Sequence, residues 1–285
     1  YTYQKRKEKM TMKVSKMFGG LALVASAFLL TACGSGNQKD TSVSDIKDKG
    51  TLVVAMNPEF APFEFKTLID GKDTLVGADI ELAKAIAKEL DVKADFSVMS
   101  FNNVLASVTS GKADIAIAGI SVTDERKKAY EFSDAYYEAE NVVILKKADL
   151  ATYTSLESLA GKSVGAQKGS IQENIAKDQL PSSSLVSLTS NGEMINELKN
   201  NQLQAVVLEK AIAEGYISQN PDLAIADMPL KSTDTDAYAV AFAKGTDKKL
   251  IASVNKVIKK AKKSGEFDAW IEKASTYTQS SSESE

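Results

Sequence analysis

The stretch that decides the fold is "NVLASVTSGKADIAIAGISVTDER", residues 103–126. It opens as an amphipathic helix, turns at Ser110, Gly111 and Lys112, and continues as an apolar strand. That strand breaks into small and polar residues, and an arginine follows at once. A second stretch, "EMINELKNNQLQAVVLEK" (193–210), has the same plan of helix, short polar turn and buried strand with a polar end. Around both, strands and helices alternate. "TLVVAM" (51–56) reads as a strand, "GADIELAKAIAKELDV" (77–92) as a helix with Ile80, Ala83, Ile86, Ala87 and Leu90 on one face, and "KADFSVM" (93–99) as a strand. Asp79 and Glu81 lie near the positive end of that helix. Such alternation predicts an α/β fold with doubly wound, parallel sheets.

The remaining segments extend the pattern. "SLESLAGKSVGAQKGSIQENIAKDQL" (155–180) gives a helix, a strand, a glycine turn and a helix. "DAYAVAFAKG" (236–245) is a further strand, and 248–274 is a helix pair with Trp270 expected in the core. The boundaries expected are one discontinuous lobe of residues 45–145 and 236–275, a second lobe of 146–235, and a disordered polar tail of 276–285. Ligands of open α/β sheets bind outside the carboxyl ends of the strands. Four such ends, after Met56, Ala118, Ala166 and Leu208, carry polar or aromatic residues, so two lobes facing one another would enclose a cleft.

The chain has 285 residues, a net charge of −3, no histidine and one cysteine. The charge gives no basic footprint for nucleic acid. The lack of histidine removes the commonest general base, the Ser-His and Cys-His nucleophile pairs and most zinc sites, so no catalytic residue, metal or cofactor is expected. One cysteine allows no intramolecular disulfide. Lys13 and Lys16 precede the apolar run "MFGGLALVASAFLL" (17–30), which is shorter than the about 20 residues of a spanning helix and has the marks of an export signal. "LTAC" (30–33) then resembles the bacterial lipoprotein box. That resemblance implies cleavage before Cys33 and lipidation of its thiol. Residues 1–32 are read as the signal with residues upstream of the true start, and 33–44 as a lipidated tether.

The strand ends supply complementary charges. Arg126 is a planar fork suited to a carboxylate, with Ser121 and the bare backbone of Gly119 beside it. Taken alone, Arg126 in "TDERKK" would read as a solvated charge. In "QKGSIQE" (167–173), Gly169 permits a tight turn and Ser170 with Glu173 forms a capping box, whose exposed N–H groups attract an anion; capping alone accounts for Ser170 equally well. Glu209 follows a buried strand and is placed to meet an ammonium. Arg126 with Ser121, opposite Glu209, makes a clamp for the zwitterion of an α-amino acid. Phe60 and Phe101 are candidates to flank its side chain, whereas Phe63 and Phe65 are read as core.

"NPEFAPFEF" (57–65), "LVGADIELAKAIAKEL" (75–90), "SGKADIAIAGISVTDERKKAYEFSDAYY" (110–137), "GKSVGAQKGS" (161–170) and "QAVVLEKAIAEGY" (204–216) together resemble the polar amino-acid substrate-binding proteins of ABC importers, family 3 of the extracellular solute-binding proteins. The resemblance implies a type II periplasmic-binding-protein-like fold, in which two lobes joined by two hinge strands close on a ligand. It implies that Phe60 and Phe101 sandwich the ligand side chain, that Gly119, Ser121 and Arg126 hold its carboxylate with help from Ser170, and that Glu209 holds its amino group. Asn57 stands where relatives for basic amino acids or glutamine commonly have aspartate, and Glu209 where many have aspartate. Glu64, Glu59 and Gln167 are the polar groups expected near the side-chain end. A basic amino acid is expected, arginine before lysine, with glutamine the alternative. The partners implied are a free amino acid, the permease and ATPase of an importer, and a membrane reached through Cys33, with the protein a monomer; the lipoprotein box without a disulfide fits the outer face of a Gram-positive membrane, with the inner membrane of a Gram-negative cell the alternative. A dehydratase-like enzyme, an adhesin and a sensor domain are the competing classes.

Overall fold

A computed structural model describes residues 42–231 and 236–280. The expectations for the signal, for Cys33 and for the last residues of the tail lie outside the described residues. Ser42 caps the first helix, α1 (Val43–Lys49), by accepting from the Asp45 N–H at 3.1 Å. Residues 42–44, expected within the tether, belong instead to this capped helix, because the hydroxyl at Ser42 already satisfies a helix N–H.

The chain then builds β1 (Thr51–Met56), the small antiparallel sheet of β2 (Glu59–Phe60), β3 (Glu64–Ile69) and β4 (Lys72–Val76), and α2 (Ala78–Glu89). After these come β5 (Lys93–Val98), α3 (Phe101–Thr109), β6 (Ile115–Ala116), α4 (Asp124–Ala129), β7 (Tyr130–Phe132) and β8 (Tyr137–Glu138). The face of α2 read from its periodicity is buried, Ile80 to Leu90. Asp79 is buried too, which a helix-dipole partner at the surface would not be.

The second half contains β9 (Asn141–Lys146), β10 (Ser163–Gln167), α5 (Ile171–Gln179), β11 (Ser184–Leu188), α6 (Asn191–Lys199), β12 (Ala205–Glu209), α7 (Lys210–Gln219) and β13 (Leu223–Ile225). The chain returns through β14 (Ala237–Tyr238) and β15 (Ala241–Ala243) to α8 (Lys248–Ser264) and α9 (Glu266–Ser280).

Two five-stranded sheets result, ordered β5-β1-β6-β15-β7 and β11-β10-β12-β9-β13. In each, the first three strands are parallel and the last two join antiparallel. The helix–turn–strand repeat of the sequence therefore corresponds to equivalent places, α3–β6 and α6–β12, in two sheets of identical order. The antiparallel pair β8–β14 links the sheets, with Tyr238 opposite Tyr137. The fold is α/β, two-lobed and of the type II binding-protein kind, each sheet mixed rather than wholly parallel.

Three expectations shift. β9 pairs with β12 and β13 in the second sheet, so the first crossing lies between Glu138 and Asn141 rather than at 145. An apolar "VVIL" fits either lobe equally well, and only strand pairing assigns it. Helix α9 continues through 276–280, the part of the presumed tail nearest the fold, and Thr278 there is buried. Phe267, 3% exposed, fills the core position expected for Trp270, which is half-buried and packs edge-on against it at 6.0 Å between ring centroids.

Candidate functional site

The four strand ends meet where the lobes face each other. Arg126 sits in the first turn of α4, whose N-cap Thr123 accepts from its backbone N–H at 3.0 Å. The guanidinium donates from Nη1 to the Ser121 carbonyl at 2.7 Å and from Nη2 to the Gly169 carbonyl of the opposite lobe at 3.1 Å. It also lies over the Phe101 ring, 5.9 Å from the centroid. Backbone on both sides and a ring beneath fix the fork's direction. Burial lowers its pKa to about 10, partly countered by the Glu209 charge, so it stays cationic at neutral pH.

Ser121 is buried and its backbone bridges to Tyr238 in the hinge. Gly119 has φ of +54°, and a Cβ there would stand 2.4 Å from Phe60 Cε1. Only glycine lets Phe60 lie across that backbone. Phe60 itself also packs on Phe63 and Tyr238, each at 6.0 Å.

Glu209 ends β12 and occupies the N-cap position of α7 without making a capping bond. It is buried, and its Oε1 accepts from Gln172 Nε2 at 2.6 Å. Burial lifts its pKa to about 7, against lowering by Gln172 and by the charge of Arg126. The buried Tyr238 hydroxyl lies beside Glu209: it lowers the pKa of the carboxyl, and the Glu209 charge raises that of the phenol. An anion and a cation from opposite lobes thus share one dry region.

The turn after β10 is closed on itself. Ser170 Oγ donates to the Gln167 carbonyl at 2.7 Å and accepts from the Glu173 N–H, while Glu173 Oε2 accepts from the Gly169 N–H at 2.9 Å. The Ser170 N–H is taken by the Gln167 carbonyl. The N–H groups of Gly169 and Ser170 are thus used inside the turn, and what this turn offers Arg126 is a carbonyl. At the far end, Gln167 Nε2 bridges Asn57 Oδ1 across the cleft at 3.1 Å and the Thr189 carbonyl at 3.3 Å, and Asn57 Nδ2 donates to the Met99 carbonyl.

Two acids expected at that end are elsewhere. Glu64 is fully buried behind Asn57, accepting its N–H at 3.1 Å, so it supports the loop from within the lobe instead of facing the cleft. Glu59 reaches the other lobe: its Oε2 accepts from the Asn191 N–H at the start of α6 at 2.9 Å, and its carbonyl accepts from Tyr216 Oη at 3.4 Å. Gln172 and Asn141 have no part in the sequence reading, and Asp79 enters it only as an acid near the positive end of its helix. Gln172 stands two residues after the cap and points back to Glu209 and to Asn141, a placement that the S-x-x-E spacing would have given had its inner positions been followed. Among the described residues no cluster of acids and cysteines forms a metal site. A cavity of about 610 Å³ at the hinge, beside Asn141 and Met228, contains none of the clamp residues.

Comparisons with known proteins show the family and the fold. In solved structures, an amino-acid ABC transporter substrate-binding protein, AbpA of Streptococcus pneumoniae, bound to L-arginine, is 56% identical with a TM-score of 0.80, covering 82% of this chain and 98% of that one. The arginine-binding extracellular protein ArtP of Bacillus subtilis is 35% identical over 252 residues, 87% of this chain and 94% of ArtP. The glutamine-binding protein GlnH of the same organism is 30% identical, covering 90% and 95%. The family profile for bacterial extracellular solute-binding proteins, family 3, matches residues 52–276, and the chain belongs to that family.

Proposed function

We propose that the protein captures L-arginine between its two lobes and hands it to the permease of an ABC importer. The observation that carries this reading is the pair of groups of opposite charge type, the half-buried Arg126 from one lobe and the buried Glu209 from the other, on either side of one cleft. Arg126 takes the α-carboxylate, Glu209 the α-ammonium, and Phe60 and Phe101 flank the side chain. Closure removes water, and each charge interaction inside strengthens as the local dielectric falls. The two lobes each bring half of the clamp, so tight holding requires closing. The similarity to arginine-bound AbpA and to ArtP supports arginine as the side chain held.

Glutamine is the second reading, and one observation favours it. The side-chain end presents the amides of Asn57 and Gln167 rather than a free carboxylate. Calorimetric titration with arginine, lysine, histidine and glutamine decides between them. Arginine binding most tightly is expected, and no heat with any of them would overturn the reading. Unchanged ligand recovered after long incubation separates capture from dehydratase-like turnover. We further infer that Cys33 is lipidated and holds the protein on the outer face of the membrane. Two acyl chains suffice for stable anchoring, and a Cys33→Ala variant found in the medium instead of the membrane fraction is the expected result.

A further inference from the structure

We propose that Gln172 is a positioning residue that aims the Glu209 carboxylate and, through Asn141 and Asp236, ties it to both crossings between the lobes. The inference rests on the clamp reading of Glu209. Gln172 is buried in the first turn of α5, two residues after the cap Ser170. Glu209 and Asn141 stand directly opposite each other where β12 and β9 pair, so one amide reaches both. Gln172 Nε2 donates to Glu209 Oε1 at 2.6 Å and to Asn141 Oδ1 at 2.7 Å. Asn141 Nδ2 in turn donates to Asp236 Oδ1 at 3.0 Å. Asn141 follows the first crossing. Asp236 directly precedes β14 in the second, where its carbonyl accepts the Ala139 N–H.

This row of four side chains has one workable polarity. A carboxylate stands at each end and only accepts, whereas an amide has N–H groups on one side and an oxygen on the other. Gln172 must therefore turn both N–H groups outward, to Glu209 and to Asn141, and Asn141 must turn its own to Asp236. Flipping either amide sets oxygen against a carboxylate oxygen and leaves a buried donor unused. Glu209 needs such a grip, since a glutamate reaching an ammonium has one more rotatable bond to still than an aspartate. Arg126 from α4 and Tyr238 from β14 also lower its pKa, but both approach from outside its own sheet. Asn141 belongs to that sheet and Gln172 to a helix packed on it, so carboxylate and second lobe turn about the hinge as one body.

The first arm of the test needs no ligand. Infrared titration of the ligand-free protein, each variant taken as the difference from the same protein carrying Glu209→Gln, follows the protonation of Glu209, with a midpoint expected at about pH 7. Gln172→Leu, of similar volume, removes a donor that favours the ionised form, so the midpoint should rise by about one pH unit. Asn141→Ala loosens the same donor and should move it the same way by less. An unmoved midpoint in Gln172→Leu overturns the aiming of Glu209, and one in Asn141→Ala overturns the tie to the crossings. Should Gln172→Leu fail to fold, Gln172→Met carries the same test. The second arm compares L-arginine with its analogue lacking the α-ammonium, by calorimetric titration at about pH 8. Gln172→Leu should weaken arginine about tenfold and the analogue no more than about twofold, because only the ammonium reads the aim of Glu209. Equal losses mark a general packing defect and overturn the proposal. Adding Asn141→Ala to Gln172→Leu should cost little more than Gln172→Leu alone, since the row is already broken; multiplied losses overturn it. The clamp reading fails separately: an analogue bound as tightly as arginine by the unsubstituted protein refutes the ammonium at Glu209, while a shifted midpoint still upholds the row.

Discussion

At Glu209 the sign of the pH effect is set by burial. Its pKa of about 7 in the ligand-free protein lies above the ordinary carboxylate value of 4.5, so the native state keeps a proton that the unfolded chain has released. Stability from this group is therefore present below about pH 4.5 and is lost as pH rises toward 7, levelling off above. Binding runs the other way. An ammonium is held by the ionised form, so ligand binding at pH 6 should release close to one proton from Glu209, and affinity should fall about tenfold per pH unit below pH 7. Calorimetry in two buffers of different ionisation enthalpy measures the proton count, and Glu209→Gln should reduce it to near zero while weakening binding. Arg126 tests the other half of the clamp. Arg126→Ala leaves the Ser121 and Gly169 carbonyls without their donor and the ligand carboxylate without a counter-charge. A loss of about 100-fold or more for every amino acid tested, with the order of preference unchanged, is expected by titration. Arg126→Lys keeps the charge but not the fork, and should recover only part of the loss.

Elements transmit these single groups through glycine-dependent contacts. Gly77 precedes α2 with φ of +134°, and a Cβ there would stand 2.0 Å from the Phe63 carbonyl oxygen. That neighbour is backbone and cannot turn aside. Gly77→Ala should therefore destabilise the first lobe by about 3 kcal/mol or more, read as a lowered denaturation midpoint. Gly119→Ala meets the edge of the Phe60 ring instead, so its cost should appear chiefly as weakened ligand binding. The strand ends themselves were legible in the sequence, because an apolar run that stops at Gly119 or Glu209 has few structural reasons to stop there. The buried acids were not. Asp79 lies in the first turn of a helix, where an exposed acid interacting with the dipole is the ordinary reading, and nothing local says that the segment after β6 and the segment before β8 meet it. Glu64 alternates with Phe63 and Phe65 and would be expected to face away from their core, yet all three are buried. Pairing between distant segments, which decided Asp79, Glu64 and the assignment of β9 alike, leaves little periodic trace.

On the scale of the whole molecule the two lobes touch through groups of different purpose. Arg126 to Gly169 and Gln167 to Asn57 lie within the proposed clamp, where a ligand would compete for the same atoms. Glu59 to Asn191 and Tyr216 lies outside it. The Glu59 carboxylate meets the first N–H group of α6, the positive end of a helix dipole, so this contact favours the closed arrangement whatever side chain the ligand carries. Sequence alone offered Glu59 as a reader of the ligand side chain, and the two roles give different numbers. A reader would change arginine and glutamine affinities unequally. A latch multiplies every affinity by the same factor, because it changes only the fraction of molecules able to close. Loss of a charge-assisted bond of about 1–2 kcal/mol predicts that Glu59→Ala weakens all amino acids by about five- to thirtyfold, with their ratios held. Small-angle scattering of the ligand-free variant should show a larger radius of gyration than that of the unsubstituted protein, and saturating ligand should restore the compact value. Unequal changes in affinity, or an unaltered radius, would return Glu59 to the side-chain pocket and leave closure to the clamp alone.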